Sequence, residues 1–306
     1  MKKNILIDAF GGDNSPNAVL EGALRAQNEL DITVTLVGDK NKLNTPLPII
    51  QADDIFDIHT KPTEITKSGK TTSMAVGLYS LRDGLGDAFV SAGSTGALLA
   101  GGTLIVKRAK GVKRPAIATL LPAKKDYIML IDSGANTECR PEMLLQWAEM
   151  GTEYMQRAFG RKSPKIGLVN NGTEDTKGRE LEIETYKLLA ESGLNFGGNI
   201  EAREIPFGEF DVIVTDGFTG NIILKLYEGM GSFFGKELKS ILMSNKFAGL
   251  MLMKRAKNFQ KKMDYTEVGG AVLLGLDKPV IKAHGSSDAK AFFNAIRQAK
   301  NCCEVG

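Results

Sequence analysis

The stretch Ala88-Phe-Val-Ser-Ala-Gly-Ser-Thr-Gly-Ala-Leu-Leu-Ala-Gly-Gly-Thr-Leu-Ile-Val106 decides how this chain is read. It is the longest uncharged run, nineteen residues, and a membrane span needs about 20. Yet four of its residues are glycine, four are Ser or Thr, and the polar cluster Ser91-Ala-Gly-Ser-Thr95 sits inside it. The run reads better as a buried strand over Ala88–Ser91, a glycine-rich loop, and a helix over Gly96–Lys107.

The same succession recurs outward from this stretch. Short apolar runs predict strands at Asn4–Asp8, Ile32–Val37, Ile117–Leu121, Tyr127–Asp132, Lys165–Val169, Asp211–Thr215 and Val280–Ala283. Helical patterns lie at Asn17–Glu29, Ser73–Asp83, Pro141–Phe159, Lys177–Glu191, Gly220–Met230 and Asp288–Lys300. Pro141 suits a first helical turn. Continuous apolar strands interleaved with helices imply an α/β fold whose largely parallel sheet is covered on both faces. No repeat or low-complexity linker divides the 306 residues, so a single α/β domain is expected.

Composition excludes several classes. Net charge is +3, too small for a protein that coats nucleic acid. The three cysteines cannot all pair, and Cys302 and Cys303 are adjacent, which fits a reducing cytoplasm. Asp8 interrupts the apolar stretch that follows Lys2 and Lys3, so no signal-peptide core forms there. Glycine is in surplus, at 34 residues.

One segment departs from the pattern. Phe233–Met263 reads as a long basic helical projection with eight cations and one acid, a charge of +7 that leaves −4 for the rest. It also carries the apolar run Leu250–Met253. Two readings stand: a helical pair packed on the core or on a second subunit, or a membrane-facing amphipathic element. On the second, Lys246, Leu250, Met251, Met253, Lys254, Arg255 and Lys257 would meet an anionic lipid surface.

The glycines gather where strands end and helices begin. The loops are Asp8–Asp13 with Gly11, Gly12 and Asp13; Ser91–Gly96 with Gly93, Ser94 and Thr95; and Asp132–Asn136. Three more are Asn170–Gly178 with Gly172 and Lys177; Thr215–Asn221 with Asp216, Gly217, Thr219 and Gly220; and His284–Ser287 with Gly285 and Ser286. In parallel α/β sheets the strand C-terminal ends share one edge, where ligands bind. Glycine admits close backbone approach, and helix N-termini favour anions. Six loops rich in Ser, Thr and Asn therefore point to a phosphate site. G-x-G-x-x-G, a complete P-loop and G-x-S-x-G are absent, and no zinc-ligand spacing exists, so no cofactor or metal is called for.

Single residues leave alternatives open. Lys177, at a predicted helix start, opposes the helix dipole and is either solvated or next to a bound anion. Asp216 is a cap or a ligand orienter, and Lys225 lies one turn beyond Asn221 on the same face. His284 is a structural histidine or a proton donor. His59 reads as structural.

Taken together, Ile7–Asp13, Thr72–Met74, Ser91–Leu98, Leu130–Asn136, Gly167–Gly178, Val214–Lys225 with Glu228-Gly229, Tyr265–Gly275, His284–Ser287 and Asn294–Ile296 resemble one family. It is the bacterial phosphate acyltransferases, also called fatty acyl-phosphate synthases. Phe10 stands where that family usually has Met, and Ser94 where it usually has Asn. The resemblance implies a three-layer α/β/α sandwich related to the isocitrate and isopropylmalate dehydrogenases. It implies transfer of a long-chain acyl group from acyl-acyl-carrier-protein to inorganic phosphate. It also implies a cytosolic homodimer at the inner face of the membrane, whose product feeds a glycerol-3-phosphate acyltransferase. In that frame Lys177 and Asn221 lead the catalytic assignment, with His284 a donor to the departing sulfur. Gly93–Gly96, Asn136, Asn170 and Ser286–Ser287 would line the phosphate and carbonyl pocket. Competing readings are a phosphotransacetylase-like enzyme using short acyl-CoA, a non-catalytic membrane scaffold, and an NAD-dependent decarboxylating dehydrogenase.

Overall fold

The computed structural model describes residues 2–67, 69–244 and 269–305. In chain order the elements are β1 (Lys3–Asp8), α1 (Asn17–Glu29), β2 (Ile32–Gly38), β3 (Ile49–Gln51), α2 (Ser73–Arg82), β4 (Ala88–Ser91) and α3 (Thr95–Gly101). A π-helical turn over Gly102–Val106 extends α3. Then come β5 (Ala116–Pro122), β6 (Tyr127–Ile131), α4 (Pro141–Phe159), β7 (Ile166–Asn170), α5 (Glu180–Glu191), β8 (Phe196–Glu201) and β9 (Val212–Val214). The last are α6 (Gly217–Ser244), β10 (Ala271–Leu274), β11 (Val280–Lys282) and α7 (Ala289–Val305).

The chain divides into two compact units: Met1–Thr119, Arg157–Gly160 and Val268–Gly306 in the first, Leu120–Gln156 and Arg161–Glu267 in the second. In the first, strands hydrogen-bond in the order β3-β2-β1-β4-β11-β10-β5. All these pairings are parallel except those of β10 with β11 and β5. The step from β1 to β2 runs one way along the sheet and that from β3 to β4 the other. Right-handed crossovers therefore place α1 and α2 on opposite faces. Ile5, Leu6 and Ile7 are all fully buried, as a strand covered on both faces requires.

The second unit has the parallel order β6-β9-β7-β8. Alternation along β9 separates its two layers. A methyl on Gly151 of α4 would meet Val212 at 2.8 Å, whereas Ile213 joins the cluster of Ile128, Leu130 and Ile223 on the α6 side.

Boundaries differ from expectation in three places. Strands β3, β8 and β10 were not anticipated; Gly197 and Gly198 mask β8. Helix α5 starts at Glu180, not Lys177, because Gly178 sits at φ +97°, outside helical space. Helix α6 does not stop at Met230. It runs unbroken for 28 residues, about 42 Å, absorbing the start of the expected basic projection. Phe233, Phe234 and Ile241 on it are exposed. The proposed membrane residues Lys246, Leu250, Met251, Met253, Lys254, Arg255 and Lys257 lie outside the described residues.

Candidate active site

The six loops form two triads, one in each unit. In the first unit β1, β4 and β11 are parallel, with Ile7 opposite Val90 and Lys282 opposite Ser91. Asp8, Ser91 and Lys282 therefore end their strands side by side.

Asp8 is the keystone of this triad. It is 1% exposed and accepts from Ser73 Oγ at 2.6 Å, Ser91 Oγ at 2.7 Å and the Phe10 amide at 3.2 Å. Burial raises its pKa, and the hydroxyls and the amides of Phe10 and Gly11 oppose the rise. Ser91 Oγ in turn accepts from the Gly93 amide, so this hydroxyl braces its loop instead of facing a ligand. Gly11 packs against Asp8 and the Gly93 nitrogen with no room for a methyl. Ser94 caps α3, its Oγ accepting from the Ala97 amide at 3.4 Å, and Thr95 and Gly96 are exposed beyond it. The Phe10 ring lies over Gly38 at the end of β2.

The third loop is tied to the first. The Asp13 amide donates to Gly285 O at 2.8 Å, and Asn14 Nδ2 donates to the carbonyls of Ser286 and Ser287. Gly12 lies against Ala92 and Gly285. The exposed Asp13 offers a carboxylate, which cannot donate to an anion. His284 Nδ1 accepts from the Ser286 amide at 3.2 Å and lies 2.8 Å from its hydroxyl. With Nδ1 as acceptor, the neutral ring carries its proton on Nε2, which is then a donor.

In the second unit β6, β9 and β7 are parallel, with Ile131 and Leu168 both opposite Val214. Asp132, fully buried, accepts from the amides of Gly134, Ala135 and Asn136 and from Asn136 Nδ2 at 2.9 Å. The Asn136 amide is thus committed to its own loop. Asn170 is equally engaged: Oδ1 accepts from the Asn171 amide and Nδ2 donates to Lys177 O. Both asparagines shape their loops, each spending one of its two side-chain N–H groups on a loop contact.

Asp216 acts as the N-cap of α6. It accepts from the Thr219 amide at 2.9 Å and the Thr219 hydroxyl at 2.8 Å. Gly217 and Gly220 let that first turn sit directly on the Asp132–Asn136 loop, with Gly217 N donating to Asn136 O at 2.7 Å. Asn221 is exposed and lies beside Gly134, where a methyl would touch its amide at 3.5 Å. Lys225 pairs with Glu228 at 2.8 Å.

Arg179 is the residue that sequence reasoning missed. Its guanidinium bonds Glu182 and, at 2.5 Å, Asp216. Glu182 also accepts from the Arg179 amide, one half of a capping box for α5. Asp216 is 2% exposed but Arg179 62%, so the guanidinium joins two buried carboxylates while still meeting solvent. These partners raise the Arg179 pKa. Burial raises that of Asp216, but the Thr219 groups and Arg179 outweigh it and leave the carboxyl below its ordinary value. Its contribution to stability is therefore present above pH 3.8 and lost as pH falls through the folded value. The one available signal was an Arg directly before Glu180-Leu-Glu182.

Lys177 is exposed in the loop, three residues before α5, and among the described residues no carboxylate pairs with it. The chain at Gly172 packs on its methylenes. Cys139 donates to Asn136 O, and burial pushes its thiol up to about 11, opposed by the Gly217 amide and reinforced by Asp132 and Asp216. A neutral thiol is a poor nucleophile. Among the groups this unit presents outward, beside the acids Glu174 and Asp175, are Lys177, Arg179 and Asn221, donors suited to an anion or a carbonyl oxygen.

Comparison with known proteins supplies the chemistry. The family described as "Fatty acid synthesis protein" matches residues 3–306. A phosphate acyltransferase from Caldicellulosiruptor bescii is 47% identical over 309 residues, covering 96% of this chain and 92% of that one. A solved phosphotransacetylase from Streptococcus pyogenes aligns with TM-score 0.63 and 17% identity, over 99% of this chain and 94% of that one. A 4-hydroxythreonine-4-phosphate dehydrogenase from Klebsiella pneumoniae aligns with TM-score 0.56 and 13% identity, over 99% and 100%. The solved structures establish a fold shared by acyl-phosphate enzymes and dehydrogenases, and fold alone does not choose between them. The near full-length sequence identity does choose: the chain is an acyltransferase and belongs to the phosphate acyltransferase family.

Proposed function

We propose that this acyltransferase takes a long-chain fatty acyl group from acyl-acyl-carrier-protein, and that the acyl phosphate it makes with inorganic phosphate serves phospholipid synthesis. The observation that carries the reading is the grouping of exposed Lys177, Arg179 and Asn221 at the strand C-terminal edge of the second unit. A phosphate oxygen attacks the thioester carbonyl, a tetrahedral oxyanion forms, the C–S bond breaks, and the thiolate leaves. Phosphate near pH 7 is already substantially dianionic and a thiol near ~8.5 is a good leaving group, so no covalent enzyme intermediate is needed. The protein's task is alignment and compensation of charge. Lys177 is assigned to the phosphate or oxyanion and Asn221 to orientation of phosphate or the acyl carbonyl. Asp132 and Asp216 hold the loops that present these groups.

Lys177→Ala and Asn221→Ala are each expected to lower acyl-phosphate formation at least ~10-fold, equivalent to about 1.4 kcal/mol. Circular dichroism should show both variants folded. Wild-type turnover by either removes it from the site. Turnover with palmitoyl carrier protein compared with acetyl-CoA tests the donor: preference for acetyl-CoA would favour a phosphotransacetylase-like activity.

The same reading places a homodimer at an anionic membrane, feeding a glycerol-3-phosphate acyltransferase. Phe218, Ile222, Leu226 and Met230, four residues apart on the solvent side of α6, are exposed and suit a second copy of the chain. The cations between Lys246 and Lys257, with Leu250 and Met253, suit anionic lipid at about 1 kcal/mol per cation. Leu250→Glu with Met253→Glu should release the protein from anionic vesicles in sedimentation while soluble activity persists. Unchanged co-sedimentation would argue against this role.

A further inference from the structure

The loop between the π-helical turn and β5 reads Lys107-Arg-Ala-Lys-Gly-Val-Lys-Arg114, five cations in eight residues with no acid. Every one of those cationic residues is exposed. Like charges this close repel, and a chain free to do so would splay them. This loop is instead pinned. The Ala109 amide donates to Gly275 O, the Asp277 amide to Lys107 O, and the Val112 amide to Ala109 O, at 3.0, 3.0 and 3.1 Å. Arg108 pairs with Leu276 as an antiparallel bridge, and its guanidinium donates back to Lys113 O at 2.5 Å. Lys107 is held at φ +79°, a region that non-glycine residues rarely occupy. Asp277 lies on the segment to which the loop is pinned.

The pinned loop curls over a cleft of about 340 Å³ lined by Thr103, Lys107, Arg108, Ala109, Gly111 and Val112. Leu104 stands 55% exposed in the preceding helical turn. The lining has no aromatic platform on which a nucleotide base would stack. A lipid surface calls for a broader apolar face than one leucine and one valine provide. Two cations lining a small cleft, Lys107 and Arg108, with three more exposed along the same pinned loop and Leu104 in the turn before it, match a protein surface of opposite charge.

We infer that Lys107–Arg114 is the docking surface for an acidic protein, the cleft receiving one protruding side chain of that partner. On the function proposed above, that partner is the carrier protein that delivers the acyl thioester, and this identification rests on that proposal. The loop steers and holds the carrier and takes no part in the chemistry.

The test compares the full-length wild type with Lys107→Glu/Lys110→Glu, using palmitoyl carrier protein and palmitoyl-CoA at saturating inorganic phosphate. Carrier binding is followed in parallel by fluorescence anisotropy. The expected result is a rise of at least ~10-fold in KM and Kd for the carrier, with kcat and the KM for palmitoyl-CoA unchanged. The wild-type KM for the carrier should also climb with salt more steeply than the variant's. Unchanged carrier KM and Kd would overturn the inference, as would equal losses with both thioesters. Loss of vesicle binding in place of carrier binding would assign the loop to lipid and overturn it too. A wild type that makes acyl phosphate from neither thioester would instead refute the proposed function, while anisotropy still reports whether the loop binds the carrier.

Discussion

Asp8→Ala is expected to destabilise the protein by roughly 2–4 kcal/mol, since each buried donor left without a partner costs about 1–3. The alanine strands the hydroxyls of Ser73 and Ser91 and the amides of Phe10 and Gly11, which converge on one carboxylate. The hydroxyls can rotate to other acceptors, but the amides cannot. Relief of burying a charge offsets part of the loss and holds the figure below the sum of its parts. Asp8→Asn retains the shape but replaces one accepting oxygen with a donor, so it should still cost about 1–3 kcal/mol for the donor it strands. The two variants also separate charge from hydrogen bonding through pH. Burial raises the folded pKa of Asp8 above 3.8, so between these values the folded state binds more protons than the unfolded one. The wild type therefore loses stability as pH rises from 3.8 through the folded pKa, and Asp8→Asn does not. Denaturant melts of both proteins across this window should show the Asn variant gaining on the wild type as pH rises. A gap that stays constant would mean that Asp8 is not titrating as a buried group.

This residue also marks how far the sequence could be read. Asp8 belongs to a motif that was singled out, but only its glycines and Asp13 were assigned to the site. An aspartate at the end of an apolar strand looks alike whether it faces a ligand or four donors from its own and neighbouring loops. The positions of the six loops were legible because each follows a buried apolar run and precedes a helix. Their division into two triads was not, because it depends on which strands pair. Arg179 was hidden because its importance lies in Asp216, 37 positions away. The end of α6 was misplaced because Gly231 reads as a helix-ending glycine and Phe233 with the lysines beyond it as a new element, whereas the helix runs straight through Gly231 and Ser232.

Gly220→Ala is the second large effect, expected to cost about 3 kcal/mol or more, at the upper end for overpacking. A methyl at this position would lie 1.9 Å from the Asp132 carbonyl oxygen and 3.0 Å from Thr215 Cγ2. The first contact is with backbone that is itself held by the loop Asp132 organises, so no flexible side chain can yield. The first turn of α6 must move away. It would carry with it Asn221, Thr219 and the cap at Asp216, and acyl-phosphate formation should drop at least ~10-fold even where the variant remains folded. Gly229→Ala in the same helix is the control. A methyl there meets nothing within 4 Å, so the helix should gain about 0.5–1 kcal/mol from the lower entropy of alanine. Thermal melts of the pair should diverge in opposite directions from the wild type. Similar melting of both variants would mean that α6 is not seated on the Asp132 loop.

On the proposed function, the outward donors of the second unit serve direct attack of phosphate on a carrier-bound thioester. This role is tested most directly by incubating the protein with palmitoyl carrier protein, following release of free carrier with and without inorganic phosphate, and trapping acyl phosphate with hydroxylamine. The expected result is release that requires phosphate and matches the trapped acyl hydroxamate mole for mole. Release that proceeds equally without phosphate, or no release from the carrier thioester at all, would contradict it.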